Sequence, residues 1–170
     1  MAANYLEQLV AEWYEYQGYF IRRNVFVGRL PKGGYECELD IVAFHPEKRH
    51  LVHIEPTNDA DSWRKREQRY EKKFSAGRKY IPTLFKGMKI PDEIEQICLL
   101  GYGSNVNHPF LAGGRVVTVA EFLAEVVTAV SKKSIHKSAI PEGHPILRTL
   151  QYITQNRLLF SDLLANVDGF

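Results

Sequence analysis

The sequence predicts an α/β protein, a central mixed sheet flanked by helices and followed by a C-terminal helical extension. Three observations lead there. Apolar residues recur at helical spacing near the N-terminus. Two aliphatic runs of strand length between Glu36 and Thr57 are joined by a polar turn, and further strand-like runs then alternate with helical patterns. A chain of 170 residues is long enough to bury a core as one domain without staples.

From Asn4 to Gln17, Leu6, Leu9, Val10, Trp13 and Tyr16 mark one face of an amphipathic helix, and Gly18 is its C-terminal stop. Glu7 borders that apolar stripe. Tyr19 to Val27 reads as a strand rich in aromatic and β-branched residues, broken by Gly28 and the Pro31-Lys32-Gly33-Gly34 turn. The hairpin follows, with His45 to His50 as its turn. By the two-residue period Glu38 and Asp40 share one face, and Glu55 closes the second strand. Each acid taken alone reads as a solvated strand end. Taken together, carboxylates among Leu39, Ile41, Val42, Val52 and Ile54 would repel one another, and a divalent cation between them removes that cost. His53 shares a face with Glu55 and reads as a hydrogen-bonded core histidine.

Asn58 to Ser62 supplies helix-capping residues, with Asp59 and Asp61 as caps and dipole partners. They launch a basic helix from about Trp63 to Ser75, which Gly77 terminates. Trp63, Tyr70 and Phe74 form its packing stripe. Arg64, Lys65, Arg66, Arg69, Lys72 and Lys73 cover the other faces, a basic block beside an acidic hairpin that suits a phosphate backbone. Ile94 to Leu100 and Arg115 to Val119 read as strands. Thr118-Val119-Ala120-Glu121 has the form of a capping box opening a helix to about Lys132. The Gly101-Tyr102-Gly103 loop lacks the third glycine and the helix of a nucleotide site. A polar linker from Lys133 to Gly143 leads to two short apolar-faced helices, Ile146 to Gln155 and Leu158 to Ala165. The expected division is a core over 1–133, with linker and helical hairpin over 134–170, packed on the core or on a partner.

Composition bounds the function classes. Apolar residues make up 45% and charged residues 25%, as in ordinary globular proteins, and the net charge is only +2. No run approaches a bilayer span and no signal peptide opens the chain, so the expectation is a cytoplasmic protein without a membrane partner. Cys37 and Cys98 stand alone within predicted strands and read as small buried side chains, which argues against zinc.

The order of helix, strand, acidic hairpin, helix and strand resembles the PD-(D/E)XK nuclease superfamily. The Holliday-junction-resolvase-like branch is the closest match, through Gly18-Tyr19-Phe20-Ile21-Arg22-Arg23-Asn24 and Gly34-Tyr35-Glu36-Cys37-Glu38-Leu39-Asp40. The resemblance covers about the first hundred residues. It implies a restriction-endonuclease-like αβββαβ core and a Mg²⁺- or Mn²⁺-dependent enzyme that hydrolyses phosphodiester bonds in DNA, with RNA left open. Asp40, Glu55 and the Pro56 carbonyl would be the metal ligands, and Glu7 would match a first-helix glutamate found in some members. One position departs. The family's lysine two residues after the second acid is Thr57 here, which can hold a water but brings no positive charge. Either a cation from the basic helix replaces it, Lys73 or Arg66, or the chain binds nucleic acid without cutting it. A homodimer, or a subunit of a larger restriction or defence complex, is a further expectation.

Overall fold

In the computed structural model, which describes residues 4–165, Tyr5–Tyr16 forms the first helix, α1. Asn4 caps it by accepting the Leu6 N–H on its side-chain oxygen. Gly18 ends it at a φ of +90°, a conformation that costs glycine nothing. The expected apolar stripe is buried, with Leu6, Leu9 and Val10 almost wholly out of water.

Three antiparallel strands follow: β1 (Phe20–Arg29), β2 (Tyr35–His45) and β3 (His50–Thr57). Helix α2 (Trp63–Leu84) then carries the chain across the sheet to β4 (Glu95–Leu100), which joins β3 in parallel, as a helical crossover allows. A short hairpin, β5 (Phe110–Leu111) and β6 (Gly114–Thr118), completes a six-stranded mixed sheet of order β1-β2-β3-β4-β6-β5. The fold is therefore α/β with an open mixed sheet. Two apolar clusters lie under α2. One joins Ala76 and Ile81 to Val25, Leu39, Val42 and Phe44, and the other joins Tyr70 and Phe74 to Cys98, Leu100, Leu111 and Val116. Cys37 and Cys98 are free and buried, as expected of isolated cysteines.

Two local features depart from the sequence expectation. The helix expected to end near Ser75 runs on through Gly77 and Pro82 to Leu84. Gly77 is bare for a packing reason, because a Cβ there would overlap the His53 ring. The second departure lies in the strands. Cys37 and Leu39 pack in the same cluster as Val42 and Phe44, although strict alternation would put the two pairs on opposite faces. β1 behaves likewise: Val25 and Val27 join that cluster, while Arg22 reaches the Leu84 carbonyl of α2. Both strands therefore change face at Asn24 and Asp40. Asn24 takes a φ of +50°, and its pairing is missing between Arg23↔Ile41 and Val25↔Leu39. The two-residue period linking Glu38 to Asp40 is thus broken at Asp40 itself, which sits on the switch.

The chain divides into two compact units, residues up to Glu121 and residues from Phe122. At the end of the first, Thr118 and Glu121 make the expected capping box. The Glu121 carboxylate accepts from the Thr118 N–H at 2.8 Å, and Thr118 Oγ1 accepts from the Glu121 N–H at 3.2 Å. This box opens α3 (Val119–Ser131). The second unit continues with α4 (Ile135–Ser138), a short helix inside the expected linker, and then α5 (Pro145–Gln155) and α6 (Arg157–Ala165). Gln151, wholly buried, holds it together by accepting from the Ile140 N–H and donating to the carbonyls of Lys133 and Ser138. Among the described residues no helix is long and apolar enough to cross a membrane.

Candidate functional site

The β2–β3 ladder runs from His45↔His50 to Ile41↔Ile54 and stops one residue short of Asp40 and Glu55. There the Asp40 N–H has no main-chain partner across the gap and donates instead to Glu55 Oε1 at 3.0 Å. β3 meanwhile stays paired to β4 through Glu55, Pro56 and Thr57. The sheet forks at the two acids. A fork of this kind leaves main-chain groups unpaired, and the Glu55 carboxylate satisfies one of them.

Lys73, from α2, closes the fork. Its Nζ stands 2.7 Å from Asp40 Oδ1 and 2.7 Å from Glu55 Oε2. Glu55 is only 3% exposed, and its Oε1 also lies 2.7 Å from His53 Nε2. The Tyr70 hydroxyl donates to the Glu55 main-chain carbonyl at 3.2 Å. The two acids and the lysine border an open pocket of about 300 Å³, whose wall continues through Pro56, Thr57 and Arg69.

The electrostatics follow from two carboxylates sharing one ammonium. Burial first, and the Glu55 charge second, push the Asp40 carboxyl up to about 7. Burial also raises Glu55, against the pull of Lys73. For Lys73 burial opposes the charged form, but Glu55 and Asp40 outweigh it and hold the ammonium above its ordinary range. His53 is pressed down to about 3 by burial and then by Lys73, and is neutral. One negative charge remains without a partner when both acids ionise. The site has room for more positive charge than Lys73 supplies.

Of the other residues singled out in the sequence, Glu7 comes close. Burial and then the Asp40 charge raise its carboxyl, while hydrogen bonds from Asn24 and Asn4 pull the other way. Glu38 contributes a smaller repulsion to the same group. Thr57 lines the same pocket, but its hydroxyl is engaged away from Asp40 and Glu55. Its hydroxyl donates to Asp59 Oδ2 at 3.0 Å and accepts from Arg69 Nη2 at 3.4 Å. Asp59 and Asp61, expected as helix caps, instead bind Arg69 at 2.6 and 3.2 Å. The residue before α2, Ser62, makes no side-chain capping bond.

Arg66, named beside Lys73 as the substitute cation, is elsewhere. It is 3% exposed, donates to the Asp59 carbonyl at 2.8 Å and stacks 4.9 Å from the Trp63 ring. It braces the loop before α2 and is not presented to an outside backbone. Arg64, Lys65 and Lys72 are exposed, with Lys65 3.7 Å from Asp61. Arg69 lines the pocket, half-buried and held by its two aspartates.

Among the described residues no group of three or more His, Cys, Asp and Glu side chains is arranged to hold a metal ion. The donor chemistry does fit Mg²⁺ or Mn²⁺. Such ions take hard oxygens, retain several waters and need only one or two carboxylates, which Asp40 and Glu55 provide in a pocket that Pro56 also lines.

Sequence reasoning missed the pocket role of Arg69 and the strand switch at Asn24. The first is hidden in a uniform run of basic residues. The second depends on one asparagine in a left-handed conformation, which the residue type permits without announcing. Comparison of the chain with protein-family models, with curated proteins and with solved structures gives no match.

Proposed function

We propose that this chain is a metal-dependent nuclease of the PD-(D/E)XK type, acting on DNA through Asp40, Glu55 and Lys73 with Mg²⁺ or Mn²⁺. The observation that carries the reading is the position of Lys73. It brings an ammonium to within 2.7 Å of both acids, where the sequence has Thr57 in place of the family's lysine. A lysine relocated to the crossover helix supplies the positive charge that a threonine cannot.

The roles follow from the geometry. Asp40, Glu55 and Pro56 line one pocket, so two carboxylates and a carbonyl are available to a hard cation there. When bound there, a divalent ion supplies Lewis-acid polarisation of the phosphate and lowers the pKa of a coordinated water. Lys73, held by both carboxylates, orients the attacking water and offsets charge developing on the phosphoryl oxygens. Glu7 sits within electrostatic reach of Asp40 and adds to the negative field that draws a cation. Arg69 in the pocket wall, with exposed Arg64, Lys65 and Lys72 along α2, is available to phosphates. Such contacts carry no sequence information, so weak sequence preference is expected.

A second reading is a nucleic-acid-binding or assembly module without chemistry. It is favoured by the same lysine, since an ammonium bridging both acids gives them a reason to stay close with no metal present. Incubation with supercoiled plasmid in Mg²⁺, Mn²⁺ or chelator separates the two. Nicking that requires the metal and disappears in Glu55→Gln and Lys73→Met supports the enzyme. Plasmid retention on a gel without nicking, unchanged by those substitutions, supports the module.

A further inference from the structure

His53 is wholly buried, and both of its ring nitrogens have polar partners. Nε2 lies 2.7 Å from Glu55 Oε1, and Nδ1 lies 3.3 Å from Gln96 Nε2. Gln96 is itself 8% exposed and bonded on both ends of its amide. Its nitrogen donates to the Phe74 carbonyl at 3.0 Å, and its oxygen accepts from Arg78 Nη1 at 2.7 Å. Neither end can be exchanged, because a carbonyl only accepts and a guanidinium only donates. The amide orientation is therefore fixed, and with it the nitrogen that faces His53. An N–H donor opposite Nδ1 requires Nδ1 to accept, so the proton of the neutral ring sits on Nε2 and points at Glu55.

The consequence falls on Glu55. Its Oε1 receives two donors, the Asp40 N–H and His53 Nε2–H, while Oε2 is directed to Lys73 and the pocket. A carboxylate held by one oxygen on two fixed donors cannot rotate about its last bond without losing both. The fold makes space for this chain at a cost. Gly77, in the interior of α2, is the bare position against which the His53 ring and the Gln96 amide lie, although alanine would favour the helix. A leucine at position 53 would fill a similar volume with no polar group to satisfy.

We propose that His53 is a positioning residue for Glu55, with Gln96 setting the tautomer in which it acts and Arg78 setting the orientation of Gln96. This rests on the reading of Glu55 as a metal ligand only for its effect on cation affinity. The effect on Glu55 orientation stands without it. Groups that orient a metal ligand from behind change metal affinity by about 10- to 100-fold when removed.

The test uses the full chain. Nitrogen-15 NMR of the metal-free wild-type protein should show the His53 ring protonated at Nε2 and bare at Nδ1. The opposite tautomer would overturn the proposal, and this reading needs no variant. In His53→Leu, amide hydrogen exchange at Asp40 should accelerate by about tenfold or more while the flanking Leu39 and Ile41 amides keep their protection. A loss of protection spread evenly along β2 would instead mean that His53 only fills the core, and would also overturn it. Titration with Mn²⁺ should show affinity about 10- to 100-fold weaker in His53→Leu, with most of it regained in His53→Gln, whose amide can again donate to Glu55. Unchanged Mn²⁺ affinity in a folded His53→Leu would refute the proposal. If the wild type binds no Mn²⁺, the metal reading fails, while the tautomer and the Asp40 exchange rate still decide the role of His53. Should His53→Leu not fold, His53→Gln carries the same readouts, with Asp40 protection retained as the supporting result and lost as the contrary one.

Discussion

Replacing Asp40 by asparagine should stabilise the metal-free protein above neutral pH. In the folded state burial and the neighbouring Glu55 raise the Asp40 carboxyl from 3.8 to about 7. A folded pKa above the unfolded one means that folding favours the protonated acid. The favourable contribution is then fully present below about pH 4 and is lost as the pH rises through about 7. That interval spans roughly three pH units at about 1.4 kcal/mol each, so the ionised acid costs the fold up to about 4 kcal/mol at pH 8. Asp40 is 20% exposed, and water reaching it relieves part of this, which leaves about 2 kcal/mol as the expected gain. Asparagine keeps an oxygen for Lys73 and discards the charge. Urea unfolding of both proteins in chelator, at pH 4 and pH 8, measures the effect. The variant should lead by about 2 kcal/mol at pH 8 and by less than about 1 kcal/mol at pH 4. A variant less stable than wild type at pH 8, or a difference that does not change with pH, would refute the reasoning.

Other perturbations probe the neighbouring parts. Lys73→Met removes the shared ammonium, so nicking of plasmid should fall by about 100-fold or more, and urea stability at pH 8 should drop by about 3 kcal/mol as two buried acids lose their partner. Gly77→Ala should destabilise by about 1–3 kcal/mol in the same unfolding assay, because the added methyl meets the His53 ring, whereas an ordinary helix position would gain from the change. Arg64→Glu with Lys72→Glu reverses two exposed charges on α2, and should weaken DNA binding in a salt titration and reduce its salt dependence by about two phosphate contacts. If affinity is unchanged, that face of α2 is merely solvated.

Much of the first unit was legible because its signals are local. The stripe from Leu6 to Val10 and the Thr118–Glu121 box each depend on residues within about one helical turn, and each is present in the structure. The hairpin could be read from the aliphatic runs on either side of His45 to His50. Asp40 and Glu55 are paired in the sequence by the family resemblance, and Lys73 is named there with Arg66 because both flank the packing stripe. What could not be read depends on distant partners. Gly77 has the appearance of a stop signal, but its meaning lies 24 positions earlier in His53. Arg66 and Arg69 occupy the same basic helix, and only tertiary packing sends one beneath the Asp59 carbonyl and the other into the pocket wall. The face change at Asn24 and Asp40 has no period to betray it, because it is a break in the period itself. That break is what frees Asp40 from strict alternation and lets it meet a lysine from α2 while lying within reach of Glu7 on α1.

The proposed enzyme depends on Asp40 and Glu55 binding a divalent cation. Calorimetric titration of Mn²⁺ into chelator-treated wild-type protein, with Glu55→Gln and Asp40→Asn measured alongside, tests it most directly. Saturable binding of a divalent ion to the wild type is expected, with its loss or severe weakening in both variants while their unfolding transitions remain cooperative. Heat absent from the wild type, or equal in all three proteins, would contradict it and leave Lys73 as the only cation that this fork was built to hold.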